Sequence, residues 1–142
     1  MASFQFKYAA AIQRCSLPNC PPSNLTTHSE TAYRWIFSDL SHNNNYLPPA
    51  AINPSRKFKD AKEHCDHYAL SFFTSQNHAQ SRYQSLIGPR PNLRKQLGDA
   101  LAIVTLTPQD GLRSRISQAG HFNLFEDTSC NLTGRLTWIC NL

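Results

Sequence analysis

The sequence lacks the features that would place it in a membrane or in an export pathway. No stretch of 18 apolar residues occurs in the 142 residues, so no transmembrane helix is expected. The first residues, "MASFQFKYAAAIQRC", have no basic segment ahead of the apolar part, which Gln5 and Lys7 interrupt. This pattern argues against a secretory signal. We therefore expect a soluble, cytoplasmic protein that does not contact a membrane.

The short motifs that identify common enzyme classes are also missing. No Gly-x-Gly-x-x-Gly, P-loop, His-Glu-x-x-His or Gly-x-Ser-x-Gly motif is present, and no internal repeat is evident. The dinucleotide-binding, P-loop, zinc-protease and α/β-hydrolase classes therefore have no motif to support them.

Charged residues are scarce, at 16% of the chain, while hydrophobic residues reach 40%. This composition fits one globular domain with an uncharged polar surface. The formal net charge is nevertheless +5, which permits a nucleotide or a nucleic acid as partner. The basic residues form three separate clusters, at 56–62, 90–95 and 113–115.

The cysteines are too few, and odd in number, for a secreted disulfide scaffold, so we expect reduced thiols, with Cys65 as a thiol in the core. Neither the Cys15 and Cys20 pair nor Cys65 with His67 has the spacing of a structural zinc site, and no metal is expected. Cys65 precedes His121, the order of a papain-like Cys–His pair, but it lies near the end of its predicted helix, where the thiol pKa is not lowered. The five cysteines are Cys15, Cys20, Cys65, Cys130 and Cys140.

Hydrophobic patterning predicts a single α+β domain over residues 1–142. The predicted order is β, β, α, β, α, β, β, β, with two to three helices in the middle of the chain, which favours a mixed or mostly antiparallel sheet. Residues 1–30 are expected to form a strand followed by a Pro- and Ser-rich loop that is partly flexible. The predicted strands are 3–8, 31–37, 69–73, 100–106, 121–126 and 135–142; the predicted helices are 58–68, the segment from Ser75 to Gly88, and 92–98.

Three segments in a fixed order carry a candidate site. "YRWIF" places Arg34 on an early strand, "ALSFFTSQNHA" ends a strand in Thr74-Ser75 before a helix, and "HFNLFE" places Glu126 on a late strand. This layout resembles the ADP-ribosyltransferase fold in its variant with an Arg, a Ser-Thr-Ser-like strand and a catalytic Glu. The resemblance covers about residues 31–140 as an order of elements.

The resemblance implies that NAD is a substrate of this domain. Arg34 would bind the diphosphate of NAD through paired hydrogen bonds. The hydroxyls of Ser71 and Ser75 would hold Arg34 and the ribose. Glu126 would stabilise an oxocarbenium-like transition state, as carboxylates do in glycoside cleavage. If the domain is an enzyme, glycosyl or ADP-ribosyl transfer is therefore favoured over cysteine-dependent hydrolysis.

Further candidates lie in the long Asn- and Pro-rich connection and on the last strands. His42 and Asn45 belong to the connection, which is expected to cover the nicotinamide pocket, and His121 is the second catalytic candidate. The same histidines with Arg34 and Arg56 would also suit a nucleic-acid-binding protein or a metal-independent RNase. That function is the first alternative.

Each candidate also has a purely structural explanation. Ser75 is well placed to cap a helix, a contribution of about 1 kcal/mol. Arg34 can pair with Asp39 or Glu126, and Glu126 can end a strand at the surface. A non-enzymatic interaction module is therefore the second alternative. The transferase hypothesis makes one geometric prediction: Arg34 and Glu126 lie on the same face of the sheet.

Overall fold

The computed structural model describes residues 4–142, which form one antiparallel sheet with short helices around it. The strands are β1 (Glu30–Ile36), β2 (Leu70–Phe73), β3 (Ala100–Leu106), β4 (Gly111–Arg113), β5 (His121–Glu126) and β6 (Thr137–Asn141). The α-helices are α1 (Ala9–Arg14), α2 (Pro49–Ile52), α3 (Ala61–Asp66), α4 (Gln76–Ile87) and α5 (Arg94–Leu97). Single 3₁₀ turns occupy Asn43–Tyr46, Pro91–Leu93 and Pro108–Asp110.

The sheet confirms the predicted α+β class. Its strand order is β4-β5-β2-β1-β3-β6, and every neighbouring pair is antiparallel. β1 pairs with β3 along its whole length, from Glu30 opposite Leu106 to Ile36 opposite Ala100. In contrast, β1 and β2 share a single residue pair, Tyr33 opposite Phe73. The sheet therefore consists of two three-stranded halves that meet at a narrow seam.

Because side chains alternate along strands, the sheet has two distinct faces. The first, here called the Arg34 face, carries the main apolar core, which includes Phe72, Phe122 and Leu124. The second, called the α4 face, packs Phe73 and Leu101 against α4. The Trp35 indole N–H donates to the Ala79 carbonyl at 2.9 Å and fastens α4 to this face.

The local signals for α4 and for the start of β3 were readable from the sequence. The Ser75 hydroxyl oxygen accepts the His78 amide at 3.1 Å, as an N-cap does, and α4 ends at Gly88. Gly98 has φ +98°, and a Cβ there would overlap the Ile36 carbonyl. Glycine is therefore required where the chain turns into β3.

The N-terminal part and α3 differ in detail from the predicted elements. Within the described part of the predicted 3–8 strand, Phe6 forms one β-bridge with Asp127, and α1 follows from Ala9. Ser3, the first residue of that predicted strand, lies outside the described residues. α3 begins at Ala61 rather than at residue 58 because the Asp60 carboxylate caps it, accepting the Glu63 amide at 2.8 Å.

Two of the cysteines overturn an expectation. Cys20 and Cys65 form a disulfide, with Cα atoms 5.7 Å apart, whereas Cys65 was expected to be a reduced core thiol. This bond also removes Cys65 as a nucleophile. Cys15, Cys130 and Cys140 remain thiols. Disulfides persist mainly in oxidising compartments, so the cysteines give no support to the cytoplasmic prediction. Across residues 4–142, none of the helices has the length and apolar character needed to cross a membrane.

Candidate functional site

Arg34 lies on β1 and is buried, with 9% of the residue exposed to solvent. Its Nε donates to the Asn45 carbonyl at 3.1 Å, and its Nη1 donates to the Ser71 carbonyl at 3.0 Å. The guanidinium carbon lies 5.7 Å from the centre of the Phe72 ring. Burial lowers the pKa of Arg34 to about 10, and the negative charge of Glu126 acts in the opposite direction. Arg34 is therefore a desolvated cation at neutral pH.

The connection after β1 folds onto Arg34 through Asn45, which is fully buried. The Asn45 amide donates to the carbonyls of Phe37 and Asp39, at 3.1 and 3.0 Å, and its side-chain oxygen accepts the Phe37 amide at 2.7 Å. These bonds fix the 3₁₀ turn over Arg34. His42 lies outside this contact: it is exposed, stacks on Phe37 and caps the turn through Nδ1.

Glu126 ends β5 and is 2% exposed. Its Oε2 accepts a hydrogen bond from the Lys7 ammonium at 2.6 Å, and Lys7 also donates to the Cys130 carbonyl. Within residues 4–142, Glu126 Oε1 is buried with no N–H or O–H donor, and the Cys130 thiol also hydrogen-bonds to the Glu126 carboxylate. A buried acceptor left in this state has a desolvation cost of about 1–3 kcal/mol. Such an atom is a natural point for a donor on a ligand.

Arg34 and Glu126 share one face of the sheet. Glu126 follows Phe122 and Leu124 at intervals of two along β5, and Phe122 opposes Phe72 on β2. The guanidinium of Arg34 lies over the same Phe72 ring. β1 and β5 both neighbour β2, so the two charges lie on the two strands that flank it.

An N-terminal segment, residues 4–8, covers Glu126. The Lys7 amide donates to the Glu126 carbonyl at 2.9 Å, and the Gln5 amide donates to the Asp127 carboxylate at 2.9 Å. Tyr8 is half-buried beside this contact, and burial followed by the charge of Glu126 raises its phenol pKa. A ligand that reaches Glu126 must therefore displace this segment.

Further polar groups, Cys130, Asp110 and Arg135, lie near Glu126. Burial, with the charges of Glu126 and Asp110, raises the pKa of the Cys130 thiol, so the thiol stays protonated. Arg135 holds the Asp110 carboxylate through two bonds of 2.7 and 2.8 Å. Burial alone would raise the Asp110 pKa, but the bonds from Arg135 and from the Thr107 amide lower it.

The remaining predicted residues lie elsewhere. By strand alternation the side chains of Ser71 and His121 point to the α4 face, and Ser71 contacts Arg34 through its carbonyl alone. His121 packs edge-on against Phe73, and burial followed by the charge of Arg82 lowers its pKa. Ser75 caps α4. The structure thus brings Arg34, Asn45 and Glu126 to one face and separates them from the side chains of Ser71, Ser75, His121 and His42.

Sequence reasoning missed the groups that surround Glu126. Lys7 is 119 positions from Glu126, and no local pattern indicates that pairing. Tyr8, Cys130 and Arg135 were likewise not among the candidates. The one available signal was the alternation of Phe4, Phe6 and Tyr8 with polar residues, which predicts an extended segment packed on one side.

Two surface grooves lie apart from Arg34 and Glu126, and the first of them includes Arg135. One of about 360 Å³ follows β1, β3 and β6 and is lined by Thr31, Thr105 and Thr137. The other, of about 560 Å³, lies over residues 54–64. Neither includes Arg34 or Glu126. Across residues 4–142, no three His, Cys, Asp or Glu side chains are grouped so as to hold a metal ion.

No protein-family model, no curated protein and no solved structure matches this chain.

Proposed function

We propose that this chain is an ADP-ribosyltransferase-like domain whose NAD site lies on the Arg34 face, between Arg34 and Glu126. One observation carries the proposal. Arg34 and Glu126 lie on the same face, on the two strands that flank β2, and Glu126 keeps a buried carboxylate oxygen without an N–H or O–H donor within the described residues. Both groups are desolvated, so each would interact strongly with a charged or polar ligand.

Arg34 would bind the diphosphate of NAD. A guanidinium has five N–H donors, and hydrogen bonds from two of its nitrogens go to the Asn45 and Ser71 carbonyls within the described residues. Neither of these acceptors carries a charge. Donors on Arg34 therefore remain for a diphosphate, whose charge would offset the burial of the cation.

Glu126 would act at the ribose next to nicotinamide. In the reaction, the bond between the ribose C1′ and the nicotinamide nitrogen breaks, and nicotinamide leaves with the bonding electron pair. Positive charge develops on the ribose, and the Glu126 carboxylate stabilises it. The nucleophilic atom of an acceptor, or of water, then bonds to C1′ and gives its proton to Glu126 or to solvent.

Access to Glu126 depends on the N-terminal segment. Lys7 occupies Glu126 Oε2, and its backbone amide holds the Glu126 carbonyl. Neither groove reaches Arg34 or Glu126, so NAD binding requires Lys7 to leave the carboxylate and the Asn45 turn to move away from Arg34. A Lys7→Ala variant removes this ion pair and is expected to bind NAD more readily than the wild-type chain.

The test is the release of nicotinamide from NAD labelled in the nicotinamide ring. We expect release by the wild-type chain, faster release by Lys7→Ala, and a loss of about 100-fold or more in Glu126→Gln. Arg34→Lys should raise the KM for NAD at least about tenfold, because the paired donors are lost.

A matched pair on the same sheet provides the control. Arg113 lies over the Phe122 ring and contacts Glu30 at 2.7 Å, an Arg–Glu pair of similar chemistry on the Arg34 face that joins β4 to the first residue of β1. Arg113→Lys keeps the charge beside Glu30 and should leave nicotinamide release per folded protein within about twofold of wild type. If neither the wild-type chain nor Lys7→Ala binds NAD or releases nicotinamide, the proposal fails.

A further inference from the structure

The 54–64 groove is built from two segments that are distant in the chain. Leu17, from the loop after α1, forms one wall, and Ala61 with His64, on α3, forms the other. Cys20 and Cys65 lie close to these walls in the chain, and the disulfide between them ties the walls together. The disulfide therefore holds the two segments together next to the groove.

Three cations stand at this groove. Arg56 and Lys57 line it, Lys59 follows two positions later, and all three are exposed. Among residues 4–142 none of the three forms an ion pair with a carboxylate. A ligand with negative charge would therefore meet cations that have no competing partner.

The nearby carboxylates of Asp60 and Glu63 accept hydrogen bonds from backbone amides and form no ion pair with these three cations. The Asp60 carboxylate accepts the Glu63 amide at 2.8 Å, and the Glu63 carboxylate accepts the Lys59 amide at 2.7 Å. The ion pair of Lys62 with Asp66 is contained within α3. The three cations Arg56, Lys57 and Lys59 still outnumber the Asp60 and Glu63 carboxylates, so the net charge at the groove is positive.

A column of flat groups runs from the surface into the core beside these cations. The Arg56 guanidinium lies 5.3 Å from the centre of the Phe58 ring, which stacks on His64 at 4.4 Å, and His64 stacks on Tyr68 at 5.4 Å. Arg56 is exposed, the next two side chains are half-buried and Tyr68 is buried. Bases stack readily on guanidinium planes and aromatic rings.

We infer that the 54–64 groove binds the phosphates and a base of a nucleotide ligand. Arg56, Lys57 and Lys59 contact the phosphates, and the base stacks on the Arg56 guanidinium, which the Phe58 ring supports from beneath. This site is separate from the one proposed for NAD on the Arg34 face. A free nucleotide and a single-stranded oligonucleotide present the same chemistry, and the experiment distinguishes them.

The experiment measures fluorescence polarisation of a labelled ten-nucleotide oligouridylate with the full chain, at several salt concentrations. Arg56→Gln/Lys57→Gln/Lys59→Gln should weaken binding at least about tenfold and lower the slope of log affinity against log salt by about 2, since each phosphate contact contributes about 0.7 for a single strand. Phe58→Leu, which keeps the charge, should weaken binding by about threefold to tenfold through the loss of stacking.

The control removes the same charge from another exposed cluster. Arg90→Gln/Arg94→Gln/Lys95→Gln should lower the affinity less than about threefold. Displacement of the oligonucleotide by AMP at millimolar concentration identifies a free nucleotide as ligand, and resistance to AMP identifies a strand. Equal losses in the two triple variants, or the absence of salt-dependent binding by the wild-type chain, would overturn the inference. Neither result depends on NAD turnover.

Discussion

Two arginines in this chain make the same contact in opposite environments. Arg34 lies over Phe72 with 5.7 Å between the guanidinium carbon and the ring centre, and Arg56 lies over Phe58 at 5.3 Å. Arg34 is buried and gives its donors to backbone carbonyls, whereas Arg56 is exposed and has no carboxylate partner among the described residues.

The difference shows that burial determines whether a cation contributes mainly to the stability of the fold or mainly to the binding of a partner. A buried guanidinium is part of the fold, because its removal leaves carbonyls without donors. An exposed guanidinium contributes little to the fold but keeps its charge available to a partner, and salt screens that charge. The Arg34 face and the 54–64 groove should therefore respond differently to mutation and to salt.

The largest expected effect is the loss of the Cys20–Cys65 disulfide, which closes a loop of 45 residues. Cys20→Ser/Cys65→Ser should lower the free energy of unfolding by about 4 kcal/mol, because the bond restricts the unfolded chain. Urea unfolding measures this change, and wild-type protein with dithiothreitol is the control. The disulfide lies beside the 54–64 groove and not on the Arg34 face. We therefore expect oligonucleotide binding to be lost at dithiothreitol concentrations at which the sheet is still folded. Unchanged unfolding in dithiothreitol would contradict the prediction.

The second effect tests the buried arginine directly. Arg34→Ala leaves the Asn45 and Ser71 carbonyls without their donor and should lower the free energy of unfolding by about 3 kcal/mol. Arg56→Ala is the matched control and should cost less than about 0.5 kcal/mol. Equal costs in urea unfolding would break the comparison between the two sites.

The smallest effect concerns the carboxylate that anchors the N-terminal segment. The Gln5 amide, followed by the hydroxyl and amide of Ser129, lowers the pKa of Asp127 to about 2. The unfolded value is about 3.9, so this contribution is present above about pH 4 and is lost as the pH falls toward 2. Asp127→Asn should therefore flatten the fall in stability between pH 4 and pH 2. Urea unfolding at pH 5, 4, 3 and 2 measures the slope, and an unchanged slope would contradict the assignment.

Much of the sheet could be predicted from local pattern. The strands at 100–106 and 121–126 and the helix capped by Ser75 carry clear periodicity and end signals, and the structure has them at the predicted residues. The shared face of Arg34 and Glu126 also follows from alternation once β2 pairs with both neighbours.

The groups that enclose the candidate site could not be predicted, because they depend on distant contacts. Lys7 reaches Glu126 across 119 positions, and Cys20 reaches Cys65 across 45. Neither spacing leaves a periodic signal. The separation of Ser71 and His121 from Arg34 was missed for another reason: the order of elements specifies neighbouring strands but does not specify the face on which each side chain lies.

The narrow seam between β1 and β2 has a consequence for how the sheet opens. The ladder has one residue pair there, and Arg34 bridges the gap by donating across it to the Ser71 carbonyl. Amide hydrogen exchange should therefore be faster along this seam than between β1 and β3, where pairing is continuous. The two three-stranded halves are therefore linked at the seam by one ladder pair and the Arg34 hydrogen bond, and away from the seam by the ion pair of Arg113 on β4 with Glu30 on β1.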